Sequence, residues 1–67
     1  MTHNKALSHK RKERKLSAKD VAESVDVHVD TYRKWESGKI RPGLHHLRRL
    51  CETLQTTPEE IGYSEYM

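Results

Sequence analysis

Apolar side chains between residues 16 and 38 recur at the spacings of helices packed against each other. Spacings of one, three, four and five positions recur among Leu16, Val21, Ala22, Val25, Val27, Tyr32 and Trp35. The alternation of a half-buried strand extends only over residues 25–29. The pattern therefore predicts two short helices joined by a tight corner, and not two strands.

Local signals predict the ends of these two helices. Ser17, with Asp20 three residues later, forms a capping signal in which each side chain bonds the other residue's backbone N–H. The first helix should start at Ser17 and stop near Val25, because the following residue, Asp26, is a poor helix former that tolerates turns. The second should run from about His28 to Ser37 and end at Gly38.

Three further helices are predicted around this pair. A weakly patterned basic helix spans about residues 4–14. A strongly amphipathic helix begins around Gly43, with its apolar stripe at Leu44, Leu47, Leu50, Cys51 and Leu54. A capping box at residues 57–60 predicts a short helix that runs to about Ile61. The fold class is therefore all-α, a compact bundle of five short helices.

Composition excludes several classes of protein. The chain has 67 residues, of which 33% are apolar, so we expect one domain with a modest core. Its single cysteine, Cys51, allows no intrachain disulfide, and no Cys/His cluster has the spacing of a zinc finger. We predict no metal and no cofactor. No stretch is long and apolar enough to cross a membrane, which predicts a soluble, cytoplasmic protein.

One resemblance covers nearly the whole chain. It is carried by Leu16-Ser17, Val21-Ala22-Glu23, Val27, Thr31, Trp35-Glu36-Ser37-Gly38-Lys39 and Pro42. These residues resemble the lambda-repressor-like helix-turn-helix family, the Cro and XRE type of small bacterial and phage DNA-binding domains. The register continues through Leu47, Leu50, Leu54 and Ile61. The resemblance implies a domain over residues 4–62, with the motif at about 17–37 and a short tail at 63–67.

Three positions depart from the family pattern. Ala18 stands where glutamine is common, so a phosphate or base contact by that side chain is lost. Asp26 occupies the turn position usually held by glycine. His28 replaces the serine or threonine that usually opens the recognition helix and is expected to be a weaker cap.

The resemblance implies sequence-specific binding of double-stranded DNA, with the second helix of the motif in the major groove. Its expected base-reading residues are Val29, Asp30, Arg33 and Lys34. Asp30 has two interpretations: it accepts from a cytosine amino group, or it neutralises Lys34 one turn away. The expected phosphate contacts come from Ser17, Lys19, His28, Ser37, Lys39, Arg41, Lys10 and Lys15.

The charge distribution agrees with such a partner. Residues 1–19 hold seven Lys/Arg against one Glu, whereas residues 50–67 hold four Glu and no Lys/Arg. A lone basic run is more often a solvated helix face, but beside a helix-turn-helix it is expected to neutralise phosphates.

Two other groups are implied by the family. Arg11 should pair with Glu36 and tie the first helix to the third. Ile61, Tyr63 and Tyr66 are the candidates for a homodimer contact, with a disordered tail as the competing interpretation.

The function that follows is a small Cro-like repressor that occludes a promoter or operator as a homodimer. The alternative is a protein-interaction module of the same fold, an antitoxin or anti-repressor partner, using the acidic end with its tyrosines. An enzyme is not expected, because no Gly-rich phosphate loop or nucleophile–base pair is recognisable. No small-molecule ligand is evident.

Overall fold

The structure is a computed structural model that describes residues 4–63. Over this range the chain forms four α-helices and one 3₁₀ turn. The helices are α1 (Lys5–Glu13), α2 (Ala18–Ser24), α3 (Val29–Ser37) and α4 (Leu44–Leu54), and the 3₁₀ turn is Glu59–Ile61. The all-helical prediction is confirmed for the described residues.

The prediction of five helices is wrong, because the last element is a single 3₁₀ turn. Its backbone bonds join residues three apart: Glu60 N–H donates to the Thr57 carbonyl at 3.1 Å and Ile61 N–H to the Pro58 carbonyl at 3.3 Å. The predicted capping bonds between Thr57 and Glu60 are present, each at 3.3 Å. They do not extend the element, since Gly62 has a φ of 88° and reverses the chain after one turn.

The α2–α3 unit has the predicted ends. Ser17 caps α2, and both bonds of its capping box with Asp20 measure 3.0 Å. Asp26 has a φ of 63°, the left-handed conformation for which glycine is the usual residue. His28 caps α3, its Nδ1 accepting from the Asp30 N–H at 3.1 Å. Gly38, with a φ of 81°, ends α3.

The core gathers apolar side chains from every element. Tyr32 and Trp35 of α3 are its largest members, and their rings meet edge to face with centroids 5.9 Å apart. The other members of the core are Leu7, Val21, Ala22, Val25, Leu47, Leu50, Leu54, Ile61 and Tyr63. The long loop from residue 55 to residue 63 therefore contributes two core side chains.

Two positions of the α4 stripe differ from the prediction. Leu44 is 62% exposed, and Cys51 is only half-buried. At about 100° per residue, Leu47, Leu50 and Leu54 cluster on one line, while Leu44 lies about 90° from its centre and Cys51 about 70°. Both positions therefore lie at the edge of the stripe. Partial burial of Cys51 raises the pKa of its thiol.

Candidate nucleic-acid interface

The outer face of α3 carries charged side chains. Asp30, Arg33 and Lys34 are exposed, whereas Tyr32 and Trp35 on the opposite side are 0% and 2% exposed. The core thus holds one side of a nine-residue helix and leaves the other side to solvent. A helix about 10–12 Å in diameter matches a major groove about 12 Å wide, so this face has the dimensions of a groove-reading element.

Val29, the fourth predicted base-reading residue, is half-buried and packs against the core. It also lines a cleft of about 200 Å³ between α2 and α3, together with Lys19 and His28. Only one side of its isopropyl group is therefore open to a ligand, and it lies next to two of the predicted phosphate contacts.

The first turn of α2 carries one positive and one negative side chain, Lys19 and Asp20. The Ser17 N–H donates to the Asp20 carboxylate, and this bond lowers the pKa of Asp20. The Ser17 hydroxyl oxygen accepts from the Asp20 N–H and keeps its own proton for a further acceptor. A phosphate at this helix end would therefore meet the hydroxyl and Lys19, but also the Asp20 charge.

A family model described as Helix-turn-helix matches residues 7–61, most of the chain. The chain belongs to the Cro/C1-type helix-turn-helix family. No curated protein and no solved structure matches it. Membership supports a DNA-binding regulator of the Cro and XRE kind with double-stranded DNA as its partner, and the family is typically non-enzymatic.

In this helix-turn-helix protein, hydrogen bonds to Glu36 hold α1 against α3, the second helix of the motif. Arg11 Nε donates to Glu36 Oε2 at 2.7 Å, and the Tyr32 hydroxyl donates to the same oxygen at 2.5 Å. The bond to Glu36 raises the pKa of Arg11, and burial, followed by the bond to Glu36, raises that of Tyr32. Arg11 Nη1 also donates to the Leu16 carbonyl at 2.9 Å. All three side chains are thus engaged inside the protein.

Lys10 lies close to two carboxylates. Its ammonium is 3.4 Å from Glu13, and the pKa of Glu60 is lowered first by a bond from the Thr56 hydroxyl and further by the Lys10 charge. Lys10 therefore has acidic neighbours within the protein. Its contact with phosphate stays a prediction.

The remaining predicted phosphate contacts lie at several edges of the helix-turn-helix unit. Lys19, His28, Lys39 and Arg41 are exposed, and Ser37 is half-buried with its hydroxyl donating to the Lys34 carbonyl at 3.1 Å. Lys15 is exposed after the end of α1, with a φ of 59°.

Two of the three predicted dimer residues, Ile61 and Tyr63, are not on the surface. Ile61 and Tyr63 are 0% and 4% exposed, because the loop after α4 folds back and packs them into the core. Tyr66 lies outside the described residues. The exposed large apolar side chains of the described region are instead Ile40, at 43%, and Leu44, at 62%.

Residues 4–63 contain neither a metal-binding cluster nor a membrane-spanning helix. No group of three His, Cys, Asp or Glu side chains in this range could hold a metal ion. None of its helices has the length and apolar character needed to span a bilayer.

The sequence does not predict the position of one cation that lies beside α3. Lys5, in the first turn of α1, lines a groove of about 340 Å³ with Arg33 and Ser37 of α3. Because α1 is weakly patterned, its spacing does not indicate which side Lys5 occupies. Only the packing of α1 beside α3 brings Lys5 and Arg33 together.

Proposed function

We propose that this protein is a sequence-specific transcriptional regulator that binds double-stranded DNA through α3, acting as a small repressor by occluding a promoter or operator. The observation that carries the proposal is the outer face of α3, where Asp30, Arg33 and Lys34 are exposed while the opposite side of the helix is buried. Family membership supports the same partner.

Base recognition is assigned to the side chains of α3 that project from the protein. Lys34 has the donors for a guanine edge, and the open side of Val29 suits a thymine methyl group. Asp30 lies one turn before Lys34, and its carboxylate is 3.6 Å from His28 Nδ1. A carboxylate on this face disfavours nonspecific binding, since it repels phosphate, and it can accept from a cytosine amino group.

Backbone contacts are assigned to the edges of the unit. Lys19 and the Ser17 hydroxyl lie at the start of α2, and Lys39 and Arg41 lie in the loop after α3. Cations at these places would position α3 in the groove without reading sequence. They would also make the affinity strongly dependent on salt.

The homodimer remains part of the proposal, but with a different surface. A two-fold dimer would hold its two copies of α3 roughly 34 Å apart on a near-palindromic site. We assign the contact to Ile40 and Leu44, because these apolar side chains are exposed next to α3 and an isologous contact brings the same patch of both copies together.

The protein-interaction alternative loses one of its features. It relied on an acidic C-terminal end with tyrosines, and Tyr63 is buried in the core of its own chain. An anti-repressor or antitoxin role would depend on the exposed carboxylates of this end, among them Glu59 and Glu60.

Fluorescence anisotropy tests the proposal. A labelled fragment from upstream of the protein's own gene and a random fragment of equal length are titrated at about 50 and 200 mM salt. We expect at least about ten-fold tighter binding to the upstream fragment or to another operator selected from a random pool, with affinity falling steeply as salt rises. Equal, weak binding to every fragment would contradict sequence-specific regulation and favour a protein partner.

A further inference from the structure

The groove between α1 and α3 is built from two helices whose relative position is fixed. The backbone N–H of Asn4, the cap of α1, donates to the Glu36 carbonyl in the last turn of α3 at 2.8 Å. The Asn4 side chain is anchored as well, since its oxygen accepts from the Leu7 N–H and its nitrogen donates to the Ile61 carbonyl. The walls of the groove therefore do not depend on a ligand for their position.

The side chains lining this groove favour an anion. They include two cations, Lys5 and Arg33, and the Ser8 hydroxyl, while the Ser37 hydroxyl also lines the groove but donates to the Lys34 carbonyl. Both cations are exposed and have no acidic partner within ion-pair distance among the described residues.

One carboxylate, that of Glu36, also lines the groove. Its charge is already matched inside the protein, because Arg11 donates to it at 2.7 Å and Tyr32 at 2.5 Å. The groove therefore retains the positive charge of Lys5 and Arg33.

The location of the groove selects the kind of anion. Arg33 and Ser37 lie one turn apart on α3 and border both the groove and the exposed face of this helix. A helix about 10–12 Å across nearly fills a major groove about 12 Å wide. A neighbouring helix such as α1 must then remain outside, beside the sugar-phosphate backbone, and side chains in the α1–α3 groove meet phosphates instead of base edges.

We infer that Lys5 and Arg33 together bind one stretch of the DNA phosphate backbone, so that Arg33 positions the protein and does not read a base. This inference rests on the proposed function and refines it. It adds Lys5 to the DNA-binding surface and moves Arg33 from base recognition to backbone contact.

The two roles of Arg33 have different signatures in binding experiments. A lost phosphate contact weakens binding to all sequences and reduces the slope of log affinity against log salt by about 0.9. A lost base contact leaves the slope nearly unchanged and relaxes preference at one base pair by about 1–3 kcal/mol, roughly 5- to 150-fold.

The experiment uses the full chain and a DNA duplex selected from a random pool, together with duplexes carrying each single base-pair change. Lys5→Gln, Arg33→Gln and the double variant are titrated by anisotropy at four salt concentrations. Arg49→Gln is the matched control, because it removes the same charge from an exposed position on α4 that does not line the groove. Thermal unfolding verifies that each variant is folded.

We expect each single variant to lower the slope of log affinity against log salt by about 0.9, and the double variant to lower it by about 1.8. The ranking of the duplexes by affinity should stay the same. The control variant should have the slope of the unaltered chain. An unchanged slope, or a lost preference at one base pair in Arg33→Gln, would overturn the inference while leaving the proposed function intact. Failure of the unaltered chain to bind any selected duplex would overturn both.

Discussion

Arg11 in α1 and Glu36 in α3 form a half-buried ion pair, with Nε 2.7 Å from Oε2 and side chains only 15% and 18% exposed. The same carboxylate oxygen accepts from the Tyr32 hydroxyl. Glu36 therefore connects α1, α3 and the core. Its role is to fix how α3 is presented, since a pair of this kind gains little net stability over an apolar replacement of both partners.

Replacing Glu36 tests this arrangement. In Glu36→Ala we expect the free energy of unfolding to fall by about 2 kcal/mol, because the Arg11 charge and the Tyr32 hydroxyl both lose their acceptor. Chemical denaturation measures the change. Glu52→Ala on the exposed face of α4 is the control, with an expected change within about 0.5 kcal/mol. Equal losses in the two variants would show that the pair contributes nothing specific.

Substitutions of Tyr63 distinguish a role in the core from a role in a dimer interface. We expect Tyr63→Ala to lower the free energy of unfolding by about 3 kcal/mol, because the ring is 4% exposed and its removal leaves a cavity. Tyr63→Phe keeps the ring and should lose about 1 kcal/mol or less. Denaturation and sedimentation of both variants check this. A variant that is fully stable but altered in oligomeric state would restore the dimer role of this residue.

Leu44 tests the reassigned dimer surface. Leu44→Glu introduces a charge where the leucine is 62% exposed, so we expect stability to change by less than about 0.5 kcal/mol. Self-association should weaken by ten-fold or more, measured by analytical ultracentrifugation, because the charge would be buried in a two-fold contact. Glu59→Lys, a charge change at an exposed position on the 3₁₀ turn, is the comparison. Unchanged association of Leu44→Glu would exclude this surface.

Acid should destabilise the protein through the cap of α2. The folded-state pKa of Asp20 is depressed below its ordinary value of 3.8, chiefly by the backbone bond from Ser17. The stabilisation is therefore present above the unfolded-state pKa and is lost as the pH falls through the folded-state pKa. Urea unfolding from pH 6 downward should show a decrease beginning near pH 4. In Asp20→Asn this decrease should be smaller, whereas a curve parallel to that of the unaltered chain would exclude the mechanism.

Asp26 occupies a conformation that suits glycine better. Because its φ is 63°, we expect Asp26→Gly to raise the free energy of unfolding by about 0.5 kcal/mol and the β-branched Asp26→Val to lower it by about 1–2 kcal/mol. Thermal and urea unfolding of the two variants measure both changes. A stabilising valine would contradict the backbone assignment at this corner.

The sequence by itself determined the four α-helices and the ends of α2 and α3. Capping at Ser17, the left-handed turn at Asp26 and the stop at Gly38 involve groups within a few residues of each other, so their chemistry is complete before any tertiary contact forms. The inward positions of Tyr32 and Trp35 also followed from helical spacing, and these positions define which side of α3 is exposed.

Tertiary structure decided what each surface side chain faces. Spacing alone does not show that Leu44 lies just beyond the packed edge of α4, or that the loop after α4 returns Tyr63 to the core. Nor does it show that Lys5 lines a groove with Arg33. These outcomes depend on which helices touch and at what angle, a property of the whole core that the local pattern of a short, highly charged helix does not contain.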